Sequence, residues 1–325
     1  MPAAQPKDLL ALPRIDRPIP GAARFRPVLH VVTAERKLEG AGFPVRRPFP
    51  SVDLSAADPF LLLDHLGAIE YGAGEAKGAP WHPHRGFETV TYIMDGAFQH
   101  HDSTGGAGLI ADGSTQWMTA GAGILHEEMP TEQLVEAGGL FHGVQLWVNL
   151  PSDQKWNPPR YQDIPAGRVA LLSSHDGGAL VRLIAGELGG HQGPGVTRTP
   201  IVYGHATLAP GSRLELPWRP DFNAMVYVLS GDGTVGESRQ SVTEGELAVY
   251  GAGDAVLVEA AAQSEGPTRN LDVLLLGGRP IGEPVVFYGP FVMNTREEII
   301  QAIEDYKAGR LGQIPAAFLG QEETG

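Results

Sequence analysis

The sequence predicts an all-β fold of two jelly-roll β-barrel domains, with a short helix near the C-terminus. Three observations carry this. Apolar runs of strand length are separated by Gly, Pro and Asp throughout. A strand–turn pattern from the first half of the chain recurs in the second. Helical periodicity is sustained only near the end of the chain.

The runs Val28–Val32, Phe60–Leu63, Thr89–Met94, Gly143–Leu150, Val169–Leu172, Ala224–Leu229 and Val273–Leu276 are each of strand length. The 43 Gly and 27 Pro show no G-x-y period, so they serve as turns between strands. With 42% hydrophobic residues over 325 positions, two ordinary domains can each bury a core. Residues 1–27 are rich in proline and read as an arm. The stretch PSDQKWNPPRYQDIP, residues 151–165, holds four prolines and reads as a linker. The expected division is therefore a first domain at 28–150 and a second at 166–325.

The repeat sharpens this division. FETVTYIMDG (87–96) and FNAMVYVLSG (222–231) share Phe, Tyr and Gly at matching places, an offset of 222 − 87 = 135. Gly121-Ala122-Gly123 recurs as Gly251-Ala252-Gly253, an offset of 251 − 121 = 130. A loop five residues shorter in the second half reconciles the two (135 − 130 = 5). The helix starts at Thr295, which forms a T-x-x-E capping box with Glu298. Ile299, Ile300, Ile303 and Tyr306 form its apolar stripe, and Gly309 ends it.

Charge and composition exclude several function classes. The net charge is −14, which repels nucleic-acid phosphates. Cysteine is absent, so disulfides, zinc–thiolate sites and iron–sulfur clusters are excluded. The N-terminus has no apolar core of a signal peptide, and no run of membrane-spanning length occurs. A cytoplasmic protein without membrane or nucleic-acid partners is expected.

Any metal must then be held by imidazole and carboxylate. His82-Pro83-His84 places two imidazoles on one face of a strand. With 11 His, about 0.4 such triplets arise by chance, so context decides. Glu88 follows His84 by four residues and keeps its parity if the strand is regular. The spacing H-x-H-x3-E resembles the first metal motif of cupins. Gly121-x-Gly123-x2-His126 resembles the second, and Glu128 shares a face with His126. Three imidazoles and a carboxylate suit one divalent metal ion, Fe(II) first, with Mn, Ni, Cu or Zn as alternatives. At the repeat offsets, His82, His84, His126 and Glu128 correspond to Pro217, Arg219, Val256 and Val258. The second domain is therefore expected to have lost the site.

HPHRGFETVTYIMDG (82–96), QWMTAGAGILHEEMP (116–130), GVQLWVNLP (143–151) and GGRPIGEPVVFYGPFVMNTREEI (277–299) resemble pirins. The resemblance spans about residues 28–315 and implies a bicupin with one metal, usually iron, in the first domain. It implies His82, His84, His126 and Glu128 as ligands. Glu88 is left as a neighbouring or alternative ligand. It further implies a flavonol 2,3-dioxygenase. Glu128 would be ligand and general base for the flavonol 3-hydroxyl, and dioxygen would open the ring with release of carbon monoxide. The alternative it implies is a metal- or redox-dependent regulator that binds a transcription factor or an enzyme.

Other residues carry weaker readings. His100, His101 and Asp102 read as a solvated loop after the Gly96 turn, or else as partners of the ligands. Trp117 and Met118 read as core or as pocket wall. Arg85 reads as a partner of Glu88 or Glu128, or as a surface charge. Asn149 reads as a strand-end turn residue. His30, His65, His142, His175, His191 and His205 fit no pattern.

Overall fold

The computed structural model describes residues 9–19, 21–49, 51–263 and 269–318. Each of two lobes combines a seven-stranded sheet with a four-stranded one. In the first lobe the large sheet runs Arg160–Ile164, Thr115–Thr119, Phe87–Asp95, Gly139–Asn149, Phe60–Tyr71, Phe43–Arg47, Glu35–Glu39. Its small sheet runs Ala79–His84, Ile124–Pro130, Ala97–Asp102, Ala107–Ala111. The second lobe matches it strand for strand. Its large sheet is Val28–Thr33, Glu246–Tyr250, Asn223–Ser230, Leu271–Gly278, Ile201–Leu208, Ala179–Ala185, Ala170–Ser173. Its small sheet is Arg213–Pro217, Ala255–Ala260, Asp232–Val235, Gln240–Thr243. The repeated segments form Phe87–Asp95 and Asn223–Ser230, each third in its large sheet.

Two strands sit elsewhere than their place in the sequence suggests. Val28–Thr33, grouped above with residues 28–150, pairs with Glu246–Tyr250 of the second lobe. Arg160–Ile164, inside the linker 151–165, pairs with Thr115–Thr119 of the first. Each covers the edge of a large sheet, where unpaired N–H and C=O groups would otherwise face solvent. Local sequence shows that such a segment is extended, but not which edge it joins. The described part of the arm also follows the second lobe. Ile15 N donates to Ser173 O at 2.9 Å, and Arg26 N donates to Ala255 O at 2.8 Å. The Ile15 side chain enters the second lobe's core.

The two large sheets face each other. Val90, Tyr92, Met94 and Trp117 of the first lobe pack on Tyr203, Met225, Tyr227 and Leu274 of the second. This explains why Phe87–Asp95 is buried at nearly every position: one face meets the other lobe, the other faces its own lobe's interior. Tyr92 Oη lies 3.0 Å from His205 Nδ1, and Tyr227 Oη lies 3.1 Å from His65 Nδ1. The tyrosines are one repeat offset apart (227 − 92 = 135), so each lobe offers the same tyrosine to a histidine of the other.

These contacts make stability depend on pH. Burial lowers the His205 pKa to about 4, although the hydrogen bond to Asp272 opposes the shift. The unfolded chain therefore binds more protons between about 6.5 and 4. The stabilisation is full above about pH 6.5 and is lost as pH falls through about 4, on the order of 3 kcal/mol for this group. Denaturant midpoints measured from pH 7.5 to 4.5 should fall monotonically. His205→Phe should flatten the curve.

The terminal helix runs Arg296–Lys307, and both halves of the Thr295–Glu298 capping box are formed. Ile299 and Ala302 are buried, whereas Ile300 and Tyr306 of the expected stripe are exposed. The helix packs against Phe291 and Met293. Among the described residues, no helix is long and apolar enough to cross a membrane.

Candidate metal centre

Ala79–His84 and Ile124–Pro130 are antiparallel neighbours, with His82 opposite His126 and His84 opposite Ile124. Alternation turns the three imidazoles to one side. Their ring centroids are 4.4–4.9 Å apart. One nitrogen from each ring lies within 4.8 Å of the others.

Carbonyl partners assign the tautomer of two of the rings. His82 Nδ1 donates to Pro80 O at 2.7 Å, and His84 Nδ1 donates to Pro290 O at 3.4 Å. A carbonyl only accepts, so Nδ1 carries the proton in both rings and Nε2 is the atom left to offer a lone pair. Those two atoms are 3.0 Å apart. His126 Nε2 is buried without a protein partner. Burial, and then the neighbouring imidazoles, push the pKa values of His84 and His126 well below the ordinary histidine value. Imidazoles whose ring nitrogens converge suit a shared divalent cation.

Glu128 stands beside this trio rather than within it. Thr91 Oγ1 donates to its Oε1 at 2.9 Å, and Gln145 Nε2 donates to its Oε2 at 2.6 Å. Gln145 lies opposite both Thr91 and Asp64 in the large sheet. A polar row thus runs from Glu128 across Thr91 and Gln145 to Asp64. Arg47 closes it with Nε and Nη2 on the Asp64 carboxylate at 2.6 and 2.5 Å. Neither Thr91, Gln145, Asp64 nor Arg47 stands out in the sequence. The only available signal was a pair of threonines, Thr89 and Thr91, on the inward parity of the strand.

His82, His84, Glu128 and this row line a cavity of about 570 Å³. Its walls are aromatic: Phe43, Trp81, Phe98, Trp147 and Phe287.

Glu88 is on the opposite face, so it is neither a ligand nor a neighbour of the three rings. It shares parity with Val90 and Tyr92, is buried toward the second lobe, and accepts from Thr119 Oγ1 at 2.6 Å. Burial raises its pKa. The expected parity fails because the strand breaks after His84. Gly86 has φ +92°, and the chain passes from the small sheet to the large one. A Cβ at Gly86 would overlap the Val292 carbonyl.

The remaining residues fall into place around this centre. His100 and Asp102 are buried in the strand Ala97–Asp102, opposite Glu128 and His126, and do not lie in a solvated loop. His101 on the other face pairs with Glu127 at 3.0 Å. Trp117 belongs to the interface between lobes, and Met118 packs under Tyr161. Arg85 pairs with neither Glu88 nor Glu128. Its Nη1 donates to Asp305 of the terminal helix at 2.7 Å. Asn149 Oδ1 accepts from Lys155 Nζ at 2.6 Å.

The second lobe shows what its strands hold instead. Pairing sets Leu216 opposite Val256, the place of His82 opposite His126. Trp218 N donates to Asp254 O, so Trp218 stands where His84 does. The sequence offset had assigned Pro217 and Arg219, one residue too far. Leu216, Trp218, Val256 and Val258 fill that lobe's interior.

The sequence matches the family described as Pirin over residues 42–148 and the Pirin C-terminal cupin domain over 203–312. A Pseudomonas aeruginosa protein, provisionally named a quercetin 2,3-dioxygenase, is 43% identical over 279 residues, covering 85% of this chain and 95% of that one. Pirin of Homo sapiens is 40% identical over 284 residues, covering 86% and 92%. The crystal structure of a quercetin 2,3-dioxygenase from Acinetobacter baumannii superposes with a TM-score of 0.83 at 37% identity, covering 90% of this chain and 100% of that one. Two matching lobes, one of them carrying converged imidazoles, and relatives aligned over nearly their whole length lead to one conclusion: this chain belongs to the pirin family, with two cupin domains.

Proposed function

We propose that this chain is a metal-dependent flavonol 2,3-dioxygenase. The observation that carries the reading is the aromatic-walled cavity lined by His82, His84 and the Glu128 carboxylate, with the buried His126 clustered against the two rings. The names of the Pseudomonas and Acinetobacter relatives support it. Held by His82, His84, His126 and Glu128, a divalent ion, Fe(II) by preference and Mn, Ni, Cu or Zn otherwise, would acidify a bound hydroxyl and relay an electron from the flavonol to dioxygen.

The protein's own groups do the rest. Glu128 Oε2 takes the proton of the flavonol 3-hydroxyl, with Gln145 holding the carboxylate in reach. The aromatic side chains seat flat rings and exclude water. The volume lies within the range of ordinary small-molecule sites. Arg47, Asp64 and Glu39 offer donors and acceptors to further hydroxyls at the cavity's other end. Adding both atoms of dioxygen and losing one ring carbon as carbon monoxide balances the opening of the flavonol ring.

Protein loaded with Fe(II) should bleach quercetin in air and release carbon monoxide in equal amount. Loaded protein that does neither would remove the dioxygenase reading. Metal-dependent binding of a regulatory protein partner would then be the reading to pursue.

A further inference from the structure

After Gly278 the chain leaves the second lobe and crosses back to the first. Hydrogen bonds along its first stretch hold this strap. Gly282 N donates to Asp58 Oδ2 at 2.8 Å, Ser152 N to Glu283 Oε2 at 2.8 Å, and Asn294 Nδ2 to Glu283 Oε2 at 3.0 Å. Further along, Val292 N donates to Arg85 O at 3.1 Å, and Arg85 N donates to Pro290 O at 3.4 Å. The buried Lys155 Nζ ties Val292 O to Gly86 O, at 3.0 and 2.7 Å. Phe287, Gly289 and Pro290 form part of the cavity wall, and Phe287 stacks on Trp147 with ring centroids 5.8 Å apart.

The strap also touches a proposed ligand. His82 takes its tautomer from Pro80 in its own strand, whereas His84 takes its tautomer from Pro290, 206 residues away. We infer that strap docking and metal binding are coupled: the Pro290 carbonyl positions His84, and a bound metal in turn draws the strap in. This rests on the reading that the three histidines bind a metal.

The physical argument has two parts. His84 offers a lone pair on Nε2 only while Nδ1 carries the proton, and the Pro290 carbonyl selects that tautomer and holds the ring plane. At 3.4 Å the contact is longer than an ordinary N–H···O bond. Coordination at Nε2 withdraws charge from the ring and makes Nδ1–H a stronger donor, so the contact should tighten. Linkage then requires that strap docking strengthens metal binding by the same factor as the metal strengthens strap docking.

Hydrogen exchange tests the forward direction. Zn(II), a redox-silent probe, should slow exchange of the Arg85 and Val292 amides about tenfold, the low end of effects typical for groups behind a ligand. The reverse direction uses Glu283→Ala and Lys155→Met, neither in contact with the three rings. Both should bind Zn(II) about tenfold more weakly in chelator competition, and both should expose the same amides. Glu283 is half-buried and outside both lobes' cores, so its variant should keep the fold should Lys155→Met not. If wild type binds Zn(II) but amide protection or variant affinity is unchanged, the coupling is overturned and the metal reading stands. If wild type binds no metal, both fall together.

Discussion

His126→Ala should lose tight metal binding while both lobes stay folded. Wild-type protein is expected to hold one ion per chain, since Leu216, Trp218, Val256 and Val258 fill the corresponding space in the second lobe. Removing His126 leaves two imidazoles and a carboxylate that is tied to Thr91 and Gln145. The loss in affinity should exceed the 10–100-fold that follows removal of a group merely supporting a ligand, so about 10³-fold or more is expected. The metal-free fold should suffer little. The substitution discards ring packing, but it also discards a buried nitrogen without a partner. Elemental analysis and melting curves with and without metal check both parts. Added metal should raise the wild-type midpoint and leave that of His126→Ala unmoved. Global unfolding of the metal-free variant would show that the ring holds the fold rather than a metal.

Glu128→Gln separates chemistry from binding. The amide keeps the size and one ligand oxygen of the carboxylate but cannot take a proton near neutral pH. Loss of a general base typically costs about 10²–10⁴ in rate. Metal occupancy should fall much less than turnover of quercetin. His82→Ala and His84→Ala should instead lose occupancy and turnover together. Gln145 supplies a control. It donates to Glu128 Oε2, so Gln145→Leu should reduce turnover by a smaller factor than Glu128→Gln. Equal loss of metal and turnover in Glu128→Gln would make Glu128 a ligand only. Unchanged turnover would place the base elsewhere.

Much of this protein was legible in its sequence because much of it is local. Strand alternation put His82 with His84, and His126 with Glu128, on shared faces. The capping box marked the start of the terminal helix, and the repeat announced two lobes built from the same strands. Each of these depends on neighbours a few residues away, whose geometry the backbone dictates.

Other features were decided only by tertiary structure. Glu88 turned to the opposite face because the chain changes sheets at Gly86, and parity does not survive such a break. Val28–Thr33 and Arg160–Ile164 joined the edges that needed a strand, which no local pattern specifies. Arg85 found Asp305, and His84 found Pro290, each across more than 200 residues. Contacts of that kind depend on which surfaces meet once both lobes are packed. A residue's own neighbourhood in the chain holds no record of them.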